Sequence, residues 1–207
     1  MKPCLGDSKG PRDDPSTIAT PRCRLRRWCA DDREPFAEIN ADPRVMAYFP
    51  APLTRAQSDA LIERIEAHFD RHGFGLWALE RLTDSRLLGF VGLAVPSFQA
   101  PFTPCVEIGW RLAADHWGRG YASEAAGAVA RTAFGQLNLD EIVSFTAVGN
   151  RRSRAVMTRI GMRHATHEDF EHPSLAPGHR LRAHVLYRLD RSRWQSESAA
   201  DVGHPRP

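Results

Sequence analysis

Apolar positions alternate first with period two. Cys23, Leu25 and Trp28 interleave with Arg24, Arg26 and Arg27, the pattern of an edge strand with a solvated face. Asp31 or Asp32 then caps a helix through Phe36, Ile39 and Asn40, and Pro43, Pro50 and Pro52 break the chain. Thr54-Arg55-Ala56-Gln57 reads as a capping box before a second helix. Leu61, Ile65 and Phe69 form its buried face, and Gly73 and Gly75 end it. Phe74 to Glu80 and Leu87 to Leu93 are two strands joined through an Asp84-Ser85 turn, hence a hairpin. A proline-rich loop from Pro96 to Pro104 leads to a third strand signal, Cys105 to Leu112. Residues 122–134 form a helix whose small face (Ala122, Ala126, Val129, Ala130 and Ala133) suits close approach to a sheet. A strand from Ile142 to Val148 follows. Asn150 to Ile160 is a helix with Asn150 as N-cap and Gly161 as its stop, and Ala183 to Leu189 is the last strand.

This order predicts an α/β fold with one mixed sheet of about six or seven strands flanked by about four helices. Residues 1–21 and 195–207 lack periodicity and read as disordered tails around a single domain, 22–194. With 42% hydrophobic and 26% charged residues, the chain has the composition of a soluble globular protein. No apolar run reaches membrane-spanning length, and no secretory leader is recognisable, so a cytoplasmic location without a membrane partner is expected. The net charge of +3 is too even to imply a nucleic-acid partner. Four cysteines (Cys4, Cys23, Cys29 and Cys105) match no zinc spacing and read as reduced thiols.

The chemistry concentrates at Trp117-Gly118-Arg119-Gly120-Tyr121-Ala122, between a strand and a helix. Glycines there let backbone N–H groups converge at a helix start, which suits a pyrophosphate, although a tight structural turn would use the same residues. The Gly-Lys-Ser/Thr of a nucleotide-triphosphate loop is absent, and Ser123 stands where a dinucleotide fingerprint needs its third glycine.

The run Glu107 to Ala125, EIGWRLAADHWGRGYASEA, resembles the acetyl-CoA site of the GNAT N-acetyltransferase superfamily. Trp117, Gly120 and Ala122 take the first, fourth and sixth positions of its Gln/Arg-x-x-Gly-x-Gly/Ala signature, and Trp117 is similar to the RimJ/RimL branch. Asn150-Arg151-Arg152-Ser153 through Gly161-Met162 resembles the family's second block. The resemblance implies acetyl-CoA as cofactor, entering a V-shaped split between strands 105–112 and 142–148. It implies backbone contacts to the pantetheine from Trp110, Arg111 and Leu112. The pyrophosphate would lie on Trp117, Gly118, Arg119, Gly120, Tyr121, Ala122 and Ser123, with Asn150 and Ser153 completing the cofactor site.

Attack on a thioester requires a neutral amine, and Glu107 is the candidate base or water-positioning group, or else a structural carboxylate paired with an arginine. Many relatives protonate the departing thiolate with a tyrosine seven residues after the motif asparagine. Here that position is Met157, so Ser153 is the candidate donor, or only a helix cap. Of Arg151, Arg152, Arg154, Arg159 and Arg163, one or two are expected to meet the nucleotide phosphates, foremost Arg151, Arg152 or Arg154, and the others to face solvent. The acceptor would face Tyr48, Phe49, Phe74, Trp77, Phe98 and Glu107 and the 164–182 loop. That loop's His164, His167, Glu168, Asp169, Glu171 and His172 match no metal spacing. The reading is therefore an N-acetyltransferase acting on a peptide N-terminus or small amine, with a homodimer as the default assembly. A non-catalytic acyl-CoA sensor and an RNA-associated protein are the alternatives.

Overall fold

The computed structural model describes the backbone of residues 17–202 and the side chains of 17–196. The chain forms two compact units, one built from the chain up to Ala94 with Gly109–Val129, the other from Val95–Ile108 with Ala130 onward.

In the first unit, β1 (Ile18–Ala19), β2 (Cys23–Arg26), β3 (Leu76–Arg81) and β4 (Leu87–Ala94) pair in order, each antiparallel to the next. β5 (Glu107–Leu112) neighbours β4 and runs from one unit into the other. Alternation on β2 sorts as expected. Cys23 and Leu25 are fully buried, while Arg24 and Arg26 turn to the buried carboxylate of Glu80, both at 2.6 Å. Arg26 also forks onto Asp32, at 2.7 and 2.9 Å, and Arg27 onto Glu66, so the basic run is neutralised within the unit. Asp32 precedes α1 (Arg33–Ala41), but its carboxylate accepts from Cys29 N–H at 2.9 Å rather than capping that helix.

The capping box at Thr54 forms as the sequence predicts: Gln57 N–H donates to Thr54 Oγ1 at 3.3 Å and Thr54 N–H to Gln57 Oε1 at 2.9 Å. It starts α2 (Arg55–His72), which ends at Gly73 with φ +74°. Ile62, Ile65 and Phe69 are its fully buried apolar positions, and Leu61 lies at the margin of that face. Thr54→Ala is expected to cost about 1 kcal/mol and to lower Tm by roughly 2–4 °C, read by a thermal melt. The core between helices and sheet is aromatic at its centre, with Phe36 4.6 Å from Trp28 and 6.1 Å from Phe90 between ring centroids.

α3 (Tyr121–Gly135) begins in the first unit, and its small face is buried as expected, with Ala126, Val129, Ala130 and Ala133 fully covered. In the second unit β6 (Glu141–Ala147) pairs parallel with the start of β5, at Glu107↔Val143, and antiparallel with β9 (Ala183–Asp190) along its whole length. α4 (Arg151–Arg159) follows β6, and the short β7 (Arg163–His164) and β8 (Phe170–Glu171) both pair with β9.

Three short strands (β1, β7 and β8) have no sequence signal, because two residues are too few for a period. α5 (Arg191–Val202) overlaps the stretch read as a tail from residue 195, and β1 overlaps the one read as a tail to residue 21. The rest of those tails, 1–16 and 203–207, lies outside the described residues. The expectation of four reduced thiols fails at Cys29, which is disulfide-bonded, whereas Cys23 and Cys105 are free. Pairing depends on the separation of Cα atoms in space, which spacing along the chain does not give. Among the described residues no helix is long and apolar enough to cross a membrane.

Candidate active site

The loop between β5 and α3 is shaped by two left-handed glycines, Gly118 at φ +74° and Gly120 at φ +83°. Trp117 anchors its start by donating Nε1–H to the Leu112 carbonyl at 2.9 Å. Among the described residues, no acceptor in the chain meets the N–H groups from Gly118 to Ser123. Gly118 to Gly120 are exposed, Ala122 and Ser123 half-buried and Tyr121 buried, and together their N–H groups form a set of unbonded donors at the positive end of α3, an arrangement suited to an anion.

The loop is braced by a pair that sequence reading did not single out. Arg22 donates Nη1–H to the Arg119 carbonyl at 2.9 Å and Nε–H to Glu124 at 2.6 Å, and its guanidinium lies 4.6 Å over the Tyr121 ring. Glu124 also accepts from Arg22 N–H and from Thr20 Oγ1–H, at 3.0 and 2.7 Å. A Glu in the first turn of α3 was the available signal, since an acid there favours the helix dipole.

Elsewhere in the first unit, Phe74 and Trp77, expected as acceptor walls, are buried packing residues. Phe74 lies against His68, and Trp77 meets Phe69 edge-on at 5.2 Å. Tyr48 is exposed at the end of a 3-10 turn, Val45–Tyr48. The Arg111 side chain turns to Asn40 and lies against the Phe49 ring, centroid 4.1 Å away.

In the second unit, Glu107 is the first residue of β5, opposite Val143. Glu107 is half-buried as a residue, and protein packs densely around its carboxyl. Burial alone pushes this carboxyl up to about 8. Among the described residues no arginine or hydrogen-bond donor pairs with it, which removes the structural-pair alternative.

Asn150 is committed locally. Its Oδ1 accepts Ser153 N–H at 3.2 Å as the α4 N-cap, and its Nδ2 donates to Thr146 Oγ1 at 2.9 Å, leaving one amide hydrogen for another partner. The Ser153 hydroxyl is half-buried and has no partner among the described residues. Met157 is fully buried, so position 157 serves the core. Arg154 folds back onto the Val148 carbonyl and the Tyr187 hydroxyl at 3.2 and 3.4 Å, whereas Arg151, Arg152, Arg159 and Arg163 are exposed.

Phe98 belongs to an aromatic cluster with Phe102, Phe145, Phe170 and His172. The acids of the 164–182 loop are held by partners within the unit, Glu168 and Glu171 by arginines and Asp169 by a histidine. His164 bonds Asp169 at 2.7 Å, Arg188 forks onto Glu168, and Arg182 meets Glu171 at 2.8 Å. Among the described residues no group of three or more His, Cys, Asp or Glu side chains is placed to hold a metal ion.

Comparison with known proteins shows the family. Residues 22–163 match the family model of the acetyltransferase (GNAT) domain. The Aspergillus fumigatus FsC-acetyl coenzyme A-N(2)-transacetylase is 30% identical over 191 residues, covering 86% of this chain and 77% of that protein. The uncharacterized Bacillus subtilis protein YkkB is 31% identical over 151 residues, 72% of this chain and 86% of that protein. The crystal structure of an acetyltransferase from Agrobacterium tumefaciens superposes with a TM-score of 0.67 at 28% identity, covering 84% of this chain and 93% of that one. The chain belongs to the GNAT family and is an N-acetyltransferase.

Proposed function

We propose that this enzyme transfers the acetyl group of acetyl-CoA directly to a primary amine, with both substrates bound together. The observation that carries this reading is Glu107, an enclosed carboxyl without a partner that burial pushes up to about 8. A base with that affinity takes a proton from an ammonium close to neutral pH, where an ordinary glutamate would be too weak. Acetyl-CoA supplies the activated acetyl group as a thioester. Its pyrophosphate takes the unbonded N–H groups from Gly118 to Ser123, and the remaining amide hydrogen of Asn150 takes an oxygen of the pantetheine. A backbone N–H of β5 near Trp110 stabilises the carbonyl oxygen as it gains charge. The Ser153 hydroxyl donates a hydrogen bond to the departing sulfur.

The name of the Aspergillus relative, which states acetyl coenzyme A and an N(2) position, supports both the donor and a nitrogen acceptor. Trp117 and the Glu-Ile-Gly-Trp run of β5 favour the RimJ/RimL-like branch acting in the cytoplasm.

Calorimetric titration tests the donor. Acetyl-CoA is expected to bind with micromolar Kd, and ATP and NADH are expected not to bind. Gly120→Trp is expected to remove binding, because Gly120 holds φ +83° and a Cβ there would lie 3.3 Å from Arg22 Nη2. Release of CoA thiol with an amine panel separates an enzyme from an acyl-CoA sensor. Binding without thiol release from any amine would withdraw the transferase mechanism.

A further inference from the structure

Arg111 in the first unit is half-buried as a residue, protein packs closely around its guanidinium, and among the described residues no carboxylate balances its charge. Its Nη1–H donates to Asn40 Oδ1 at 2.6 Å. Asn40 is fully buried and is fixed in turn by its Nδ2–H to Ser58 Oγ at 2.8 Å. This chain of polar groups ties β5 to α1 and α2, but it contains no acid. Among the described residues no carboxylate pairs with Arg111. Its Nε is sealed from solvent and has no hydrogen-bond acceptor. Nη2 also has no partner among the described residues, but it is not sealed in.

The chain shows what that edge of an arginine does elsewhere. Arg27, Arg44, Arg81 and Arg188 each grip a carboxylate side-on through Nε and Nη2. At Arg111 the same two-donor edge meets no acceptor among the described residues, while the far nitrogen is pinned by Asn40 so that the fork keeps its direction. Two rings bound the slot, Phe49 with its centroid 4.1 Å from the guanidinium carbon and Phe90 at 5.4 Å. The planar two-donor fork matches a carboxylate, as it does at Arg27, Arg44, Arg81 and Arg188.

A buried cation without a counter-charge costs several kcal/mol, and proteins retain such groups where a ligand completes them. Burial also pulls the Arg111 guanidinium down to about 10, the direction expected when no acid offsets the loss of water. Phe49 closes the outer side. It is half-buried where Phe90 is buried, and it lies between the exposed Tyr48 and the Pro50 and Pro52 break, so it is the ring placed to yield as a ligand enters.

We propose that the Nε/Nη2 edge of Arg111 binds the carboxylate of the acceptor, so that the preferred substrates are free amino acids or other amines that carry a carboxylate. The inference rests on the acetyltransferase reading and narrows its acceptor class. The test compares each of the common amino acids with its own carboxamide, which keeps the amine and side chain and removes only the charge. In the wild type the preferred acid is expected to exceed its amide by about tenfold to hundredfold or more in kcat/KM. Arg111→Gln and Arg111→Lys are expected to collapse that ratio towards one while leaving the Kd for acetyl-CoA within about threefold of the wild type. Arg111→Lys retains the charge without the fork and keeps the test readable if Arg111→Gln folds poorly.

Ligand-induced thermal shifts of the wild type, expected for the acids and not the amides, give a reading that does not depend on turnover. Equal rates and shifts for acids and amides would overturn the proposal, as would acetylation confined to amines without a carboxylate. A loss of acetyl-CoA affinity in both Arg111 variants would assign the edge to an anion of the donor and would overturn it as well. Absence of acetyl-CoA binding by the wild type would remove the acetyltransferase reading instead. The carboxylate site would then stand or fall on the thermal shifts alone.

Discussion

Glu107→Gln is expected to reduce kcat/KM for acetyl transfer by about 10²–10⁴ while leaving the Kd for acetyl-CoA unchanged. Glutamine keeps the volume and one hydrogen-bond acceptor but cannot take a proton. In the wild type the working form is the carboxylate, and burial sets its pKa at about 8. The rate should therefore climb through pH 8 and flatten above it, and that limb should vanish in the variant. Stability should move in the opposite sense. The folded state holds a proton that the unfolded chain, with a glutamate pKa of about 4.3, releases early. Stability is thus fully present below that value, falls as pH rises, and is lost once pH has passed the folded-state value of about 8. Glutamine escapes this cost, so the variant should match the wild type at pH 4 and melt several degrees higher at pH 9, read by calorimetry. A variant that keeps activity within about threefold of the wild type would place the base elsewhere.

Long amphipathic elements were legible in the sequence because periodicity and caps agreed. Thr54 with Gln57, the Leu87–Leu93 run and the small face of α3 each appear where the pattern puts them. The candidate site was legible to the extent that it is built from backbone: Gly118 and Gly120 mark the loop, and their left-handed conformations follow from residue type. Glu107 stood out by its place on β5, although its lack of a counter-ion is a property of the folded chain. What was hidden depends on partners far apart in sequence. Arg22 and Glu124 are 102 residues apart and meet only when β2 and α3 fold together. Arg111 was marked in the sequence for its backbone alone, and that its side chain meets Asn40 and no carboxylate is a property of the fold. Asn150 illustrates a shared role. The residue type announces both a helix cap and a ligand contact, and the structure fills the first while leaving one donor for the second. Phe74 and Trp77 were candidates for a pocket by composition, yet an apolar ring carries no sign of whether it will face a substrate or a core.

Gly89→Ala is expected to be among the most damaging single-methyl substitutions in the first unit. Leu79 pairs with Gly89, but the next residue, Glu80, pairs with Leu87, so Leu88 is the extra residue of a bulge in β4. The bulge holds Gly89 at φ +140°, a conformation closed to residues with a Cβ. It also brings the strand so near β5 that a Cβ would lie 2.0 Å from the Arg111 carbonyl oxygen and 2.8 Å from the Leu112 Cα. Both atoms are backbone, so no rotamer change relieves the overlap. The conformational strain costs about 1–3 kcal/mol and the displaced strand about as much again, for a total near 4 kcal/mol. That is a large share of the roughly 5–15 kcal/mol that holds a domain together, and it should lower Tm by roughly 8–16 °C. Gly127→Ala is the matched control. Gly127 lies inside α3 with nothing within 4 Å of a Cβ, so the same methyl group should be neutral or stabilise by up to about 1 kcal/mol. The effect should extend beyond stability. Moving the Arg111 backbone pulls its guanidinium from Asn40 and shifts the strand assigned to the pantetheine, so folded Gly89→Ala should lose preference for carboxylate-bearing acceptors and bind acetyl-CoA more weakly. A melting temperature within 2 °C of the wild type would mean that β5 yields freely at Arg111 and that the close approach of the two strands does not set its position.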